Sequence, residues 1–503
     1  MKFISSMTSF FKIYYKTSYL LLVVLFVGII LRFYGLSEQN YWYDEFITLE
    51  VAKGSLDSII SGSRPPLYLV FAHFWIENFG ISENVTRLLS IIFGVSSIVL
   101  IYFIGKTLFD HKVGALSAFF MSVSTFQIYY SQELRYYSLY ELLTLISFFF
   151  YIRFLNSKSY IHLALYILST VLLYYSHDFA VFIIAVQNLY VLIKYKTLKS
   201  IIAKWFLSQF VILLSIAPRF INTLSDKAIG EGGPNWIPPP NKFAALNTIY
   251  EYMGLKFKIH NSMFDDIAII FLLIGTAIYF LIVGKEKWVK SFNQLIGGLK
   301  RSWNIKSESV LVILWFLVPI SLVLIMSEFV KPMYLNRYLI CSAPAFYILV
   351  ALLITKLKKV VPIGIILIAY AILISPGLYE YYTIPVREDW REVGSYIRGN
   401  YKRNSAVLIS ALSLDGFDWY NKGHYKYCAL PPRNIDLTEL FRICKLDAFD
   451  HFWLILNNKQ NNKSYESSYY HHKDSLFRIE KERGFVVSNK SPVTLYSVEK
   501  VKQ

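Results

Sequence analysis

What most limits the fold of this chain is a succession of apolar runs, each close to the roughly 20 residues a helix needs to cross a bilayer. Eleven such runs, bounded by charge, proline or glycine, cover 18–35, 87–106, 113–130, 134–155, 160–176, 178–194, 203–218, 266–283, 309–327, 337–356 and 359–375. The first runs on through Phe33 and Tyr34 without a small-residue cleavage site, so it reads as a span and not as a signal peptide. Hydrophobic residues make up 55% of the 503 and charged ones only 17%, against roughly 25% charged in ordinary soluble domains. A soluble globule and a disordered chain are both excluded. The 39 Tyr and 39 Phe suit helix contacts and the two water interfaces of an α-helical polytopic membrane protein.

A net charge of +17 would suggest nucleic acid in a soluble protein. Here the basic residues fall in the gaps between apolar runs, which is a topology signal and not a nucleic-acid footprint. With the N-terminus in the cytoplasm, every inner loop is basic: Lys2, Lys12 and Lys16; Lys106 and Lys112; Arg153 and Lys158; Lys194 to Lys204; Lys285 to Lys306; Lys356 to Lys359. An odd number of spans then leaves the C-terminal part outside, as in a multi-pass protein of the plasma membrane. The division expected is a transmembrane domain over 1–376 and a small extracytoplasmic α/β domain over 377–503. In the latter, Glu388 to Tyr401 reads as a helix, and Ala406 to Ser410, Phe452 to Leu456, Phe485 to Ser488 and Val493 to Val498 read as strands.

Two outer segments join the spans. Residues 36–86 contain Leu67 to Phe79, interrupted by His73 and Glu77, which reads as a helix lying in the interface. Residues 219–265 carry the rigid Glu231–Pro240 turn and could serve as a lid. Cys341, Cys428 and Cys444 have neither zinc-ligand spacing nor disulfide-scaffold density. No phosphate-cradling glycine loop is present, so nothing supports a nucleotide-driven pump.

The strongest chemical signal is Asn40-Tyr-Trp-Tyr-Asp-Glu-Phe46, where Asp44 and Glu45 sit among aromatics just beyond the first span. A carboxylate there can act as a base or metal ligand, or simply cap a helix. Arg64, before Pro65 and Pro66, is placed to hold a phosphate or to snorkel to a lipid headgroup. Glu133 and Arg135 in Tyr-Ser-Gln-Glu-Leu-Arg-Tyr-Tyr occupy a tight outer turn between two spans, where ionisable groups are expensive unless paired or facing a cavity. Arg87 and Arg337 start the second and tenth spans on the same side. His177-Asp178 reads as a polar hairpin turn in preference to a metal pair, because no second histidine stands at ligand spacing.

This ordered set resembles the dolichyl-phosphate-mannose protein mannosyltransferase family of GT-C membrane glycosyltransferases. It is similar in particular to the bacterial and archaeal branch that includes the lipid A aminoarabinose transferase. The residues that carry the likeness are the aromatic-Asp-Glu at 43–45, Pro-Pro-Leu-Tyr at 65–68, Arg-Leu-Leu-Ser at 87–90, the 129–137 turn and Arg-Tyr-Leu at 337–339, within roughly the first 375 residues.

The resemblance implies a GT-C fold and an inverting transfer of a monosaccharide from a polyprenyl-phosphate carrier to an acceptor hydroxyl outside the membrane. It implies Asp44 as base, with Glu45 as acidic neighbour; Glu133 is a further acidic candidate from its own place in the turn. Arg64, Arg87, Arg135 and Arg337 would serve the donor phosphate. Mannosyltransferases usually carry histidine where Arg64 stands, which sets mannose in doubt. The partners expected are the lipid-linked donor, the bilayer and an acceptor not identified by sequence, with no nucleic acid. A divalent cation is compatible with such a site, yet no ligand spacing demands one. The alternative is a transporter or flippase of lipid-linked sugars, for which midplane charges would speak, whereas these charges gather at one face.

Overall fold

A computed structural model describes residues 19–225, 237–255, 307–357, 360–384, 387–400, 402, 404–421, 425–430, 442–445, 448–457, 477–485 and 493–500. The expected span 266–283, most of the Glu231–Pro240 turn and the basic segments at the N-terminus and around Lys285–Lys306 lie outside the described residues.

Each of the other ten apolar runs is helical. Among the described residues, six helices are long and apolar enough to cross a membrane: Glu83–Leu108, Tyr137–Ser157, Tyr195–Asn222, Ser307–Phe329, Asn336–Thr355 and Val361–Thr383. Tyr19–Phe33, Tyr160–Ser176 and Ala180–Ile193 are apolar but shorter. The run expected to be one span over 113–130 is two helices, His111–Val123 and Thr125–Ser131, parted at Ser124, whose backbone is extended. Ser124 Oγ donates instead to Tyr252 O (2.9 Å), which anchors the break against the helix Ala244–Tyr252.

Close helix contact is built on small residues. A Cβ at Gly114 would stand 2.5 Å from Tyr102 O, so Glu83–Leu108 and His111–Val123 meet backbone to backbone. The helix Pro66–Phe79 begins with proline in its first turn, where the missing N–H costs nothing. It forms as expected, preceded by two short helices, Tyr43–Ala52 and Leu56–Ser61.

The last membrane helix continues through Pro376 to Thr383, so the boundary expected at 376 falls inside it. Beyond it come the helix Trp390–Gly399, capped by Asp389 accepting from the Glu392 amide, and the strands β1 (Ser405–Ser410), β2 (Lys426–Leu430), β3 (His451–Asn457), β4 (Phe477–Phe485) and β5 (Val493–Lys500). They pair in the order β2-β1-β3-β5-β4, with β1 parallel to β2 and β3, and β5 antiparallel to β3 and β4. Ala406, Val407, Leu408 and Ile409 of the central β1 are all buried, the pattern of a strand covered on both faces. Trp390, Val393 and Ile397 recur at helical spacing and pack on Val407, Ile409, Trp453 and Ile455.

Three details differ from the sequence reading. Of the strand expected at Phe485–Ser488, Phe485 ends β4 and the rest lies outside the described residues; β4 begins earlier, at Phe477, in a stretch that is largely polar or charged. The helix Ala411–Asn421 was not anticipated. Cys428 and Cys444 form a disulfide across 16 residues, whereas Cys341 is free and buried. One bridge in a long chain gives no density signal to detect.

Candidate active site

The helix Tyr43–Ala52 sets the site because its first turn carries Asp44 and Glu45 on adjacent positions, about 100° apart around the axis. The two carboxylates therefore face different surroundings.

Glu45 points inward and is fully buried. Arg87 grips it with two parallel bonds, Nε to Oε1 and Nη2 to Oε2, both 3.0 Å. Arg387 Nη1 adds a bond to Oε2 (2.9 Å), the Leu134 amide donates to Oε1 (2.9 Å) and the Trp42 amide to Oε2 (3.3 Å). Burial alone would raise its pKa, but Arg387 and Arg87 outweigh it and hold the carboxyl below its usual range. Arg87 spends its remaining donors on the carbonyls of Leu36 (2.8 Å), Gln39 (2.7 Å) and Asn40 (3.0 Å). With five bonds and no exposure, it has no N–H left for a phosphate. Glu45 and Arg87, expected in catalysis and donor binding, thus hold each other and, through Arg87, the backbone of the 36–40 segment. Glu133 is also buried, with Oε1 3.8 Å from Arg387 Nη2, and belongs to this inner layer.

Asp44 points the other way, with its side chain 21% exposed. Two guanidinium groups reach the same Oδ2 at long range, Arg135 Nη2 at 3.8 Å and Arg337 Nη1 at 3.6 Å. Arg135 is fixed by bonds to Asp44 O (3.2 Å), Thr48 Oγ1 (3.0 Å) and Tyr136 Oη (3.1 Å). Burial works against its charge, yet Tyr136, Tyr137 and Asp44 carry its pKa above the ordinary value. Arg337 lies over the rings of Trp42 (5.6 Å) and Tyr338 (5.5 Å). Its turn, Asn336–Ser342, is held by the Ala244–Tyr252 helix through Thr248 Oγ1 to Asn336 Oδ1 (2.7 Å). The second outer loop thus supports this arginine.

The structure brings Asp44, Arg135 and Arg337 together, and leaves Arg64 outside that trio. The Arg64 side chain is exposed; its backbone is tied down by Arg219, which donates to Arg64 O (3.1 Å), Ser63 O (3.2 Å) and Asp178 Oδ1 (2.9 Å). Its charge acts on Tyr43, the neighbour of Asp44. His177 is buried, stacked on Tyr140 with ring centroids 4.5 Å apart, and accepts from the Phe179 amide at Nδ1 (3.0 Å). Burial, with Arg135, Arg337 and Arg219 around it, pushes its pKa down to about 3. It is a neutral wall of the site and not an exposed turn residue.

Arg387 and Arg219 escaped the sequence reading. Arg387 lies just beyond the last membrane helix, and its position at the outer end of a span is the only hint the sequence offers. Among the described residues, no group of three or more His, Cys, Asp or Glu side chains could hold a metal ion.

The comparisons with known proteins agree with this architecture. The family model described as dolichyl-phosphate-mannose-protein mannosyltransferase matches residues 63–221. That is the family the motifs resemble. The structure is similar to that of ArnT from Cupriavidus metallidurans bound to undecaprenyl phosphate, with a TM-score of 0.50, 12% identity, and coverage of 94% of this chain and 97% of that one. The archaeal oligosaccharyltransferase AglB from Archaeoglobus fulgidus, in complex with an inhibitory peptide and a dolichol-phosphate, has a TM-score of 0.48 and 10% identity over 88% of this chain and 69% of its own. No curated protein sequence gives a match. The chain is a multi-pass membrane protein with the GT-C fold, and the family match supports a glycosyltransferase.

Proposed function

We propose that this protein transfers a monosaccharide from a polyprenyl-phosphate carrier to an acceptor hydroxyl, with inversion, on the extracytoplasmic face. The observation that carries this reading is the sharing of one partly exposed carboxylate, Asp44, by two largely buried arginines at 3.6 and 3.8 Å. Two guanidinium groups gathered at one partly exposed place can receive an anion. A donor phosphate supplies that anion, and arginine forks match its geometry.

The chemistry follows from these groups. The acceptor oxygen attacks the anomeric carbon as the bond from that carbon to the phosphate oxygen breaks, and Asp44 takes the hydroxyl proton. The electron pair leaves with the phosphate, whose growing charge Arg135 and Arg337 stabilise, so the leaving group needs no proton. A phosphate on the two arginines also loosens their hold on Asp44, making the carboxylate available as the donor arrives. Arg64 at the rim would assist entry of the headgroup. The Cys428–Cys444 disulfide favours an oxidising, extracytoplasmic location for the C-terminal domain.

The test is mass spectrometry of glycans and lipids from cells lacking the gene, complemented with the wild-type chain or Asp44→Asn. A glycan or lipid species should lose one sugar residue in the null cells and remain unrestored by Asp44→Asn. Full restoration by that variant would end this reading.

A further inference from the structure

We infer that Arg387, from the start of the C-terminal domain, is a positioning residue that holds the two catalytic segments in register, so that the docked domain is part of the machinery. The inference stands on the geometry and does not depend on the identity of the donor.

Arg387 is 4% exposed, and its guanidinium lies between both segments. On one side Nη1 bonds Glu45 Oε2 (2.9 Å), the residue beside Asp44. On the other, Nη2 bonds Gln132 O (3.1 Å) and stands 3.8 Å from Glu133 Oε1, in the turn that carries Arg135. The turn is further linked to Glu45 through the Leu134 amide, and Arg135 N bonds back to Glu133 O (2.8 Å). One side chain therefore fixes the base-bearing helix against the phosphate-facing arginine. The ring of Tyr129 lies 5.5 Å from the guanidinium carbon.

The charge balance explains why the domain must stay docked. Glu45 and Glu133 are two buried carboxylates served by Arg87 and Arg387. Withdrawing Arg387 leaves two buried carboxyl groups with one guanidinium, and that one already saturated, so the turn and helix lose the group that joins them. The domain is fastened beside this point: Asn40 Nδ2 bonds Asp389 Oδ1 (2.8 Å), Arg391 pairs with Glu83, and Tyr420 Oη accepts from the Tyr41 amide (2.9 Å). Any movement of the domain is thus transmitted to Glu45 and to the 132–136 turn.

The experiment compares full-length wild type, Arg387→Met and Arg387→Lys in nanodiscs by hydrogen exchange, thermal melting and binding of undecaprenyl phosphate. In folded Arg387→Met, exchange should quicken at least about tenfold in residues 43–48 and 132–136 and stay unchanged in Tyr160–Ser176. Undecaprenyl phosphate affinity should fall about tenfold, and Arg387→Lys should recover part of both effects. Unchanged exchange in those two segments overturns the inference, as does an equal rise in Tyr160–Ser176, which marks a merely structural role. If Arg387→Met does not fold, Arg387→Lys is read by the same criteria; failure of both to fold also overturns it. Failure of the wild type to bind undecaprenyl phosphate sinks the proposed donor instead, while exchange still decides the role of Arg387.

Discussion

Replacing Arg87 with methionine should damage the fold long before it touches donor binding. The substitution keeps most of the apolar stem and removes a guanidinium that makes five hydrogen bonds, two of them to a fully buried carboxylate. Deleting one partner of a buried ion pair costs about 3–5 kcal/mol, because the other charge stays behind in a desolvated site. Glu45 keeps Arg387 and the Leu134 amide, which favours the lower part of that range. Three carbonyls lose a donor at about 1 kcal/mol each, a cost that does not simply add to the first. The folding equilibrium should therefore shift by more than about a hundredfold. Arg337→Met, which loses a 3.6 Å pairing, should cost only about 1 kcal/mol. Chemical unfolding in detergent, followed by undecaprenyl phosphate binding to the folded fraction, separates the two. The same network sets an acid limit: pairing lowers the Glu45 pKa, so its stabilisation is full above the unfolded value of about 4.3 and is lost as pH falls through the lower folded value. Acid unfolding should begin at higher pH in Arg87→Met. A variant as stable as wild type but unable to bind the phosphate would refute this assignment and return Arg87 to the donor site.

Four further outcomes are expected. Asp44→Asn should lower sugar transfer by about 10²–10⁴ while undecaprenyl phosphate binds as well or better, since a competing carboxylate has gone; undiminished turnover of the purified variant would remove the base. Arg135→Lys and Arg337→Lys should each weaken undecaprenyl phosphate binding about tenfold despite the retained charge, because an ammonium cannot offer two parallel donors; equal affinities would leave the phosphate site unassigned. Cys428 and Cys444 should resist alkylation until reduced, and after reduction should react with a membrane-impermeant reagent on intact cells; reaction only after lysis would place the domain on the inner side. Cys428→Ser should cost about 3 kcal/mol in that domain, given the length of the closed loop.

The membrane architecture was legible because a span is a statement about length and apolarity, and both are local. The break at Ser124 was not, since the apolar run continues across it and the serine hydroxyl is satisfied by residues far away in the sequence, the Tyr252 carbonyl and the Tyr347 hydroxyl. The acidic pair at 44 and 45 was visible as a pair, but its division of labour was not. Adjacent helical residues differ by about 100° in direction, and nothing local says which one meets the core. Arg87 and Arg337 pose the same problem, each an arginine at the outer start of a span. What separates them is the company they keep: Arg87 finds three carbonyls of the 36–40 segment, whereas Arg337 finds rings and a distant carboxylate. Arg387 lies 342 residues from Glu45, and only the folded chain reveals the connection.

The end of the membrane domain that meets the C-terminal domain thus holds charge in two layers that obey opposite rules. In the inner layer Arg87 and Glu45 share bonds at 3.0 Å and Arg387 joins them at 2.9 Å, so solvent and ligand have nothing to offer these groups and their work is to hold the backbone. In the outer layer Arg135 and Arg337 stand 3.6–3.8 Å from one carboxylate, beyond hydrogen-bond length. A site that must exchange partners during the proposed reaction needs that looseness, which calls for a frame that does not yield. Glu45 and Asp44 are neighbours on one helical turn, so the rigidity of the first layer is delivered directly to the second. If the proposed transfer is right, the inner arginines should matter to it as much as the outer ones.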